Sequence, residues 1–142
     1  RLDDIVHEVQ LDPSYLEKPY MQPTYDEPEF VVRNIWRLYG GWYDGNPAHL
    51  KPAKHADLAK EIALMAGGAL ALADRAQALK ETNPRLACHL VEMAVQAEPE
   101  NRYAHEVRAD VYQHRRGLET SLMAKGIFGT AANESKEALG EE

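Results

Sequence analysis

Cysteine is almost absent from this chain of 142 residues: Cys88 stands alone. A single thiol excludes an internal disulfide and any cysteine-based zinc cluster. It fits a reducing compartment, the cytoplasm being the favoured one, and no signal-peptide pattern opens the chain. Long hydrophobic runs are missing too. Nothing approaches the ~18 apolar residues that span a bilayer, and the greasiest stretch, 62–73, is mostly alanine and glycine. Cations are in the minority, with 16 Lys and Arg against 23 Asp and Glu for a net charge of −7. That balance argues against a phosphate-binding footprint, so no nucleic-acid partner is expected. Hydrophobic residues at 44% and charged residues at 27% are ordinary globular values, which excludes wholesale disorder. Arg1 stands where an initiating Met would, which predicts a piece of a longer protein whose remaining part holds the chemistry.

Residues 1–27 differ from the rest. Pro13, Pro19 and Pro23, with Pro28 just beyond, interrupt any long helix, and Tyr15, Tyr20 and Tyr25 lie between them. The proline spacing predicts an extended segment that lies on a partner surface, or else a strap packed on the domain's own helices, with short helical pieces such as 2–9. Asp26 with Glu29 three residues later reads as a capping box, and Pro28 falls in the first turn. The helix that follows offers Val31, Val32, Ile35, Trp36, Leu38 and Tyr39 as apolar positions, and Gly40-Gly41 ends it.

After Pro52 the pattern is helical. Helices are predicted at 54–66, 69–81, 84–97, 100–116 and 118–139, broken by Gly67-Gly68, Asn83-Pro84, Pro99 and Gly117. Leu58, Ile62 and Met65 are expected on one face of the first, with Ala59, Ala63 and Ala66 beside them. Leu86, Leu90, Val91 and Ala94 are expected inside, as are Tyr103, Val107, Val111 and Tyr112. No stretch alternates like a strand. Helices of this length with short connections imply antiparallel neighbours. Ala87, Val91, Ala94 and Pro99 match second-helix positions of a tetratricopeptide unit, giving about one and a half degenerate repeats. The expected fold is all-α: stacked antiparallel helical hairpins, tetratricopeptide-like, behind the Pro-rich segment. The expected division is a strap at 1–27, a helical domain at 28–139 and a tail at 140–142.

A search for self-contained chemistry returns nothing. His7, His49, His55, His89, His105 and His114 form no His-x-His and no His-Glu-x-x-His. His89 and Glu92 lie i, i+3 on one helix, the spacing of two metal ligands. A surface histidine beside a carboxylate is the simpler reading, because no second such pair exists. The serines lack a Gly-x-Ser-x-Gly setting, and Cys88 reads as a buried structural thiol. The glycine pairs are not phosphate loops. What remains is an aromatic corner: Trp36, Tyr39, Trp42 and Tyr43, then the turn Asp44-Gly45-Asn46-Pro47. It reads as a rigid corner anchored by tryptophan, or as an interface or cavity lip, where amphipathic aromatics are enriched. Trp36, Tyr39, Trp42, Tyr43, Asp44 and Asn46 are the candidate residues.

The segment from Arg37 to Leu50, Arg-Leu-Tyr-Gly-Gly-Trp-Tyr-Asp-Gly-Asn-Pro-Ala-His-Leu, resembles the Gly-Trp-Tyr/Phe-Asp-Gly-Asn-Pro-Ala-x-Leu motif of the linear alkyl sulfatases. These are zinc hydrolases of the metallo-β-lactamase superfamily, and the motif lies in their helical dimerisation domain. Ala66-Gly67-Gly68-Ala69 is similar to that domain's helix break, and 85–99 to its helix ending in Ala-x-Pro. The resemblance covers about 20–132. It implies homodimerisation and scaffolding within a larger alkyl sulfatase, with the strap and the last helix as first candidates to cross to the second subunit. It also implies that the Trp36–Tyr43 corner walls the parent's substrate cavity. The family's Trp-Arg-Asn stretch before a sterol-carrier-like domain is replaced here by 119–126, which marks a divergent branch. The zinc-binding His-x-His-x-Asp-His motif is absent. No catalytic, cofactor-binding or metal residue therefore carries over, and zinc is expected only in the parent's catalytic domain. The rival reading from the residues alone is a tetratricopeptide-like peptide-binding adaptor.

Overall fold

The computed structural model describes residues 1–141; Glu142, the last residue of the expected tail, lies outside the described residues. Those residues form helices and turns with no strand. The α-helices are α1 Leu2–Glu8, α2 Pro13–Leu16, α3 Pro28–Gly40, α4 His55–Ala66, α5 Ala69–Leu79, α6 Pro84–Ala97, α7 Arg102–Gly117 and α8 Leu122–Leu139. Short 3₁₀ turns occupy Pro19–Met21 and Pro47–His49. The all-α class is as the sequence predicts. No helix among the described residues is long and apolar enough to cross a membrane.

The chain divides into two compact units. Unit 1 is Arg1–Pro52 with Thr120–Met123; unit 2 is Ala53–Glu119 with Ala124–Glu142. The boundary between the two units falls after Pro52. The strap belongs to unit 1 together with α3 and the aromatic corner. It is a series of short helical turns joined by extended links. Pro13 and Pro19 each sit in the first turn of their element, where the missing N–H costs no hydrogen bond. Asp12 caps α2 by accepting from the Ser14 N–H at 2.9 Å. Two distant stretches close the unit: the Leu122 N–H donates to the Thr24 carbonyl at 2.8 Å, and the Ser121 hydroxyl to the Tyr25 carbonyl at 3.0 Å. This contact draws 118–121 out of the expected last helix, which begins at Leu122.

The expected Asp26 capping box does not form. Pro28 at the first helical position makes Glu27 the cap residue, which has no side-chain cap bond. Asp26 falls one residue outside, and its carboxylate accepts from the Glu27 N–H at 2.9 Å.

In unit 2, α5 packs most extensively on α6, and α6 also packs on α4 and α7. Asn83 and Asn101 cap α6 and α7, accepting from the N–H groups of Leu86 and Ala104. The core is built around alanine: Ala59, Ala63, Ala73, Ala76, Ala87, Ala94, Ala104 and Ala132 are buried with Leu72, Val91 and Val111. Alanine at a crossing lets two helix axes approach closely. The larger side chains that share those helices are then pushed to the outside. This corrects the expected faces. Leu58 and Met65 are exposed while Ala59 and Ala63 are buried, and Leu86 and Tyr103 are also exposed. Tyr103 instead donates its hydroxyl to Asp74 at 2.7 Å.

Cys88 lies half-buried in α6. Burial pushes its thiol up from 9.0 to about 11. The thiolate fraction near pH 8 is thereby about 100-fold below that of an unperturbed thiol. Labelling with a disulfide reagent at pH 8 is expected to be about tenfold or more slower than in urea, because the more basic thiolate is also the better nucleophile. Equal rates in the two solvents would show an open α6.

Candidate interaction surface

The aromatic corner is held by its own turn. Helix α3 ends at Gly40, and a Cβ added there would meet the Trp36 ring at 3.2 Å. Glycine at 40 lets the indole lie close against the helix backbone, and the chain turns at Gly41, where φ is 78°. The Trp36 Nε1–H then donates to the Tyr43 carbonyl at 3.1 Å, seven residues on. Gly45 has φ 90°, a left-handed conformation that side-chain-bearing residues adopt at a cost. The Asp44 carboxylate accepts from the Asn46 N–H at 2.9 Å and pairs with His49 Nδ1 at 2.5 Å. Asn46 in turn accepts from the Ala48 N–H at 3.1 Å and caps the Pro47–His49 turn. The Asn46 N–H first, and His49 second, hold the Asp44 carboxyl below its ordinary value. Asp44 and Asn46 are thus turn-forming residues with satisfied side chains. The partner role of His49, five residues from Asp44, is not visible in the sequence, where that position reads only as a turn residue.

The six candidate residues divide by burial. Trp36, Tyr43, Asp44 and Asn46 are partly buried. Tyr39 and Trp42 stand out at 84% and 73% exposed. Trp42 touches Tyr43 edge-on, with ring centroids 6.0 Å apart. Trp36 is therefore the anchor, and Trp42 is a displayed side chain, not a core one. Trp36→Ala is expected to cost about 2 kcal/mol, less than the ~3–5 kcal/mol of a fully buried tryptophan. Trp42→Ala is expected to stay within about 0.5 kcal/mol of wild type. Urea denaturation of the two variants separates them; equal losses would mean that the corner is packed differently.

Helix α3 completes the surface. It buries none of its residues, although its apolar positions recur at helical spacing. Val31, Ile35 and Tyr39 are exposed, with Val32 and Trp36 partly buried between them. Helix α1 and the residue after it cover only one flank of this stripe, through Ile5 and Val9. Two adjoining grooves of about 470 and 460 Å³ follow the stripe and share Val9, Val32 and Ile35. They form one open apolar trough.

No metal site competes for attention. Glu92 is committed to Arg108, whose Nε donates to it at 2.6 Å, and His89 is exposed. Among the described residues no group of three His, Cys, Asp or Glu is placed to hold a metal.

Residues 1–138 match the family model described as alkyl sulfatase dimerisation. The chain belongs to that family. The match to this dimerisation family runs through the strap, the corner and the helices alike. Among curated proteins, the chain is 31% identical over 139 residues to a linear primary-alkylsulfatase of Pseudomonas sp., covering 97% of this chain and 21% of the relative. It is 27% identical over 140 residues to an (R)-specific secondary-alkylsulfatase of Pseudomonas sp., again 97% of this chain and 21% of the relative. It is 33% identical over 103 residues to the alkyl/aryl-sulfatase BDS1 of Saccharomyces cerevisiae, covering 71% of this chain and 16% of that protein. Among solved structures, the stereoselective inverting sec-alkylsulfatase Pisa1 from Pseudomonas sp. superposes with a TM-score of 0.86 at 27% identity, over 96% of this chain and 22% of that one. The alkyl sulfatase dimerisation segment described here therefore spans about a fifth of the length of these relatives.

Proposed function

We propose that the chain is the homodimerisation and scaffolding domain of a larger alkyl-sulfatase-type hydrolase. Its catalytic domain, of the metallo-β-lactamase fold and carrying zinc, belongs to the same polypeptide. The observation that carries this reading is the match of residues 1–138 to a dimerisation family. The uncovered apolar trough of unit 1 supports it. In this reading the displayed aromatics of the corner, Tyr39 and Trp42, form the lip of the parent's substrate cavity, or contact the catalytic domain around it. Trp36, Asp44 and Asn46 hold them in place.

Sedimentation equilibrium of the chain over a hundredfold concentration range tests the proposal. A dimer at low micromolar concentration is expected. A strict monomer would overturn self-association by this segment and put the peptide-binding adaptor in its place.

A further inference from the structure

We propose that the Asp44–Gly45 bond is a site of spontaneous isoaspartate formation, and that the hydrogen bond from His49 to the Asp44 carboxylate guards it. The site does not depend on self-association; it governs how long the aromatic corner lasts.

The sequence singles this bond out. In the reaction the main-chain nitrogen of the next residue attacks the side-chain carboxyl carbon of an aspartic acid. A C–N bond forms, the C–OH bond breaks, and the hydroxyl leaves with the amide proton as water. Water then reopens the cyclic imide. Opening at the α-carbonyl leaves the main chain running through the former side chain. A following glycine hinders the attacking nitrogen least, because it carries no Cβ. Asp44 is the one aspartate followed by glycine, and no asparagine precedes glycine. Asn46 and Asn83 precede proline, whose nitrogen has no hydrogen to lose.

The structure leaves the bond reachable but restrained. The Asp44 side chain is 30% exposed, so water has access to it. Cyclisation needs a protonated carboxyl, because oxide is not a leaving group, and it needs rotation of the Asp44 main chain. Three bonds oppose these steps. The carboxylate accepts from the Asn46 N–H at 2.9 Å and pairs with His49 Nδ1, which must carry the hydrogen because an ionised carboxylate only accepts. Both partners hold the carboxyl below its ordinary value, so less of the reactive acid is present. The Leu2 N–H donates to the Asp44 carbonyl at 3.0 Å. Swinging the Gly45 nitrogen toward the side chain carries that carbonyl away from Leu2. Of the three restraints, only the one from His49 comes from a side chain, so a substitution removes it without touching the backbone. Conversion would add a methylene to the main chain and take away the acceptor shared by Asn46 and His49. Tyr43, whose carbonyl anchors Trp36, is the residue just before, so the corner that displays Trp42 would loosen.

The test is to age the chain, His49→Leu and His49→Gln for weeks in mildly acidic buffer, with circular dichroism to confirm helix content. Isoaspartate is then quantified in the tryptic peptide 38–54, which contains Asp44 as its sole aspartate, by chromatographic separation and electron-transfer fragmentation. Wild type aged in urea supplies the unguarded rate and is expected to be the fastest. His49→Leu is expected to isomerise about threefold to fivefold faster than folded wild type, as loss of one partly exposed pair implies. His49→Gln keeps an N–H that can reach Asp44 and is expected to stay near wild type. Folded wild type ageing as fast as in urea would overturn the proposal. So would His49→Leu ageing no faster than wild type; slower ageing would mean that the imidazole drives the reaction. Equal acceleration in H49L and H49Q would trace the effect to the fold of the turn, and the guard would fail.

Discussion

Replacing Tyr112 by alanine is expected to destabilise unit 2 by about 3–5 kcal/mol, the range for deleting a buried aromatic ring. Tyr112 is buried on α7 and stacks against Phe128 of α8, with centroids 5.9 Å apart and 28° between the planes. The Arg108 guanidinium carbon lies 5.2 Å from its ring centroid. Burial, above all, together with the nearby Glu92 carboxylate, raises the phenol well above its ordinary value. Much of the surrounding core is alanine and valine, which leaves little side chain to refill the space. The urea midpoint, followed by circular dichroism, is expected to fall by more than about 1 M. Tyr112→Phe keeps the ring and should lose less than about 1.5 kcal/mol. An alanine variant that melts with wild type would show that α8 is not seated on α7 through this ring.

The second large effect is expected at Arg108. Its side chain is 11% exposed and reaches from α7 to two other helices. It donates to Glu92 of α6 at 2.6 Å, to the Ala131 carbonyl at 2.7 Å, to the buried Ser135 hydroxyl at 3.0 Å and to Glu134 of α8 at 3.1 Å. Ser135 is also met by His105 Nδ1 at 3.2 Å. Removing one partner of a buried ion pair costs ~3–5 kcal/mol, mostly because the other charge is left uncompensated. Glu92 and Glu134 retain access to water, so Arg108→Ala is expected to cost about 2–3 kcal/mol. The double variant E92Q/R108M removes the orphaned charge and should be more stable than R108A. A double-mutant cycle measures the difference. If R108A and E92Q/R108M are equally destabilised, packing of the arginine stem, not charge pairing, holds α6, α7 and α8 together.

These two residues also mark how far the sequence could be read. Tyr112 lies on a helical stripe with Val107 and Val111, and its burial follows from local periodicity. Arg108 gives no such signal. Glu92 is 16 residues away and Glu134 is 26 away, so no helical spacing links them. The aromatic corner shows the same division. The turn Asp44-Gly45-Asn46 is legible because its hydrogen bonds close within a few residues. Which tryptophan anchors it is not legible: Trp36 and Trp42 are chemically alike and six residues apart, and only the turn at Gly41 brings one indole to the Tyr43 carbonyl. In α4 the stripe of Leu58, Ile62 and Met65 does not show which of its residues are buried: Ile62 packs partly on the core, while Leu58 and Met65 are exposed. Hydrophobicity ranks leucine and methionine above alanine, whereas closely crossing helices admit only the smaller residue.

What the sequence by itself determined is the all-α class, the positions of most helix breaks, the absence of a metal motif and the resemblance to a dimerisation domain. Each depends on residues within a few positions of one another, through proline and glycine dihedral limits, amide caps and contiguous motifs. What only the tertiary structure decided is which faces are buried, that Thr120–Met123 return to the strap at Thr24 and Tyr25, and that α3 keeps its apolar stripe open. Those outcomes depend on how closely helix axes approach and on which remote segments meet. Such distances are set by the summed packing of many side chains, and no local stretch of sequence encodes them.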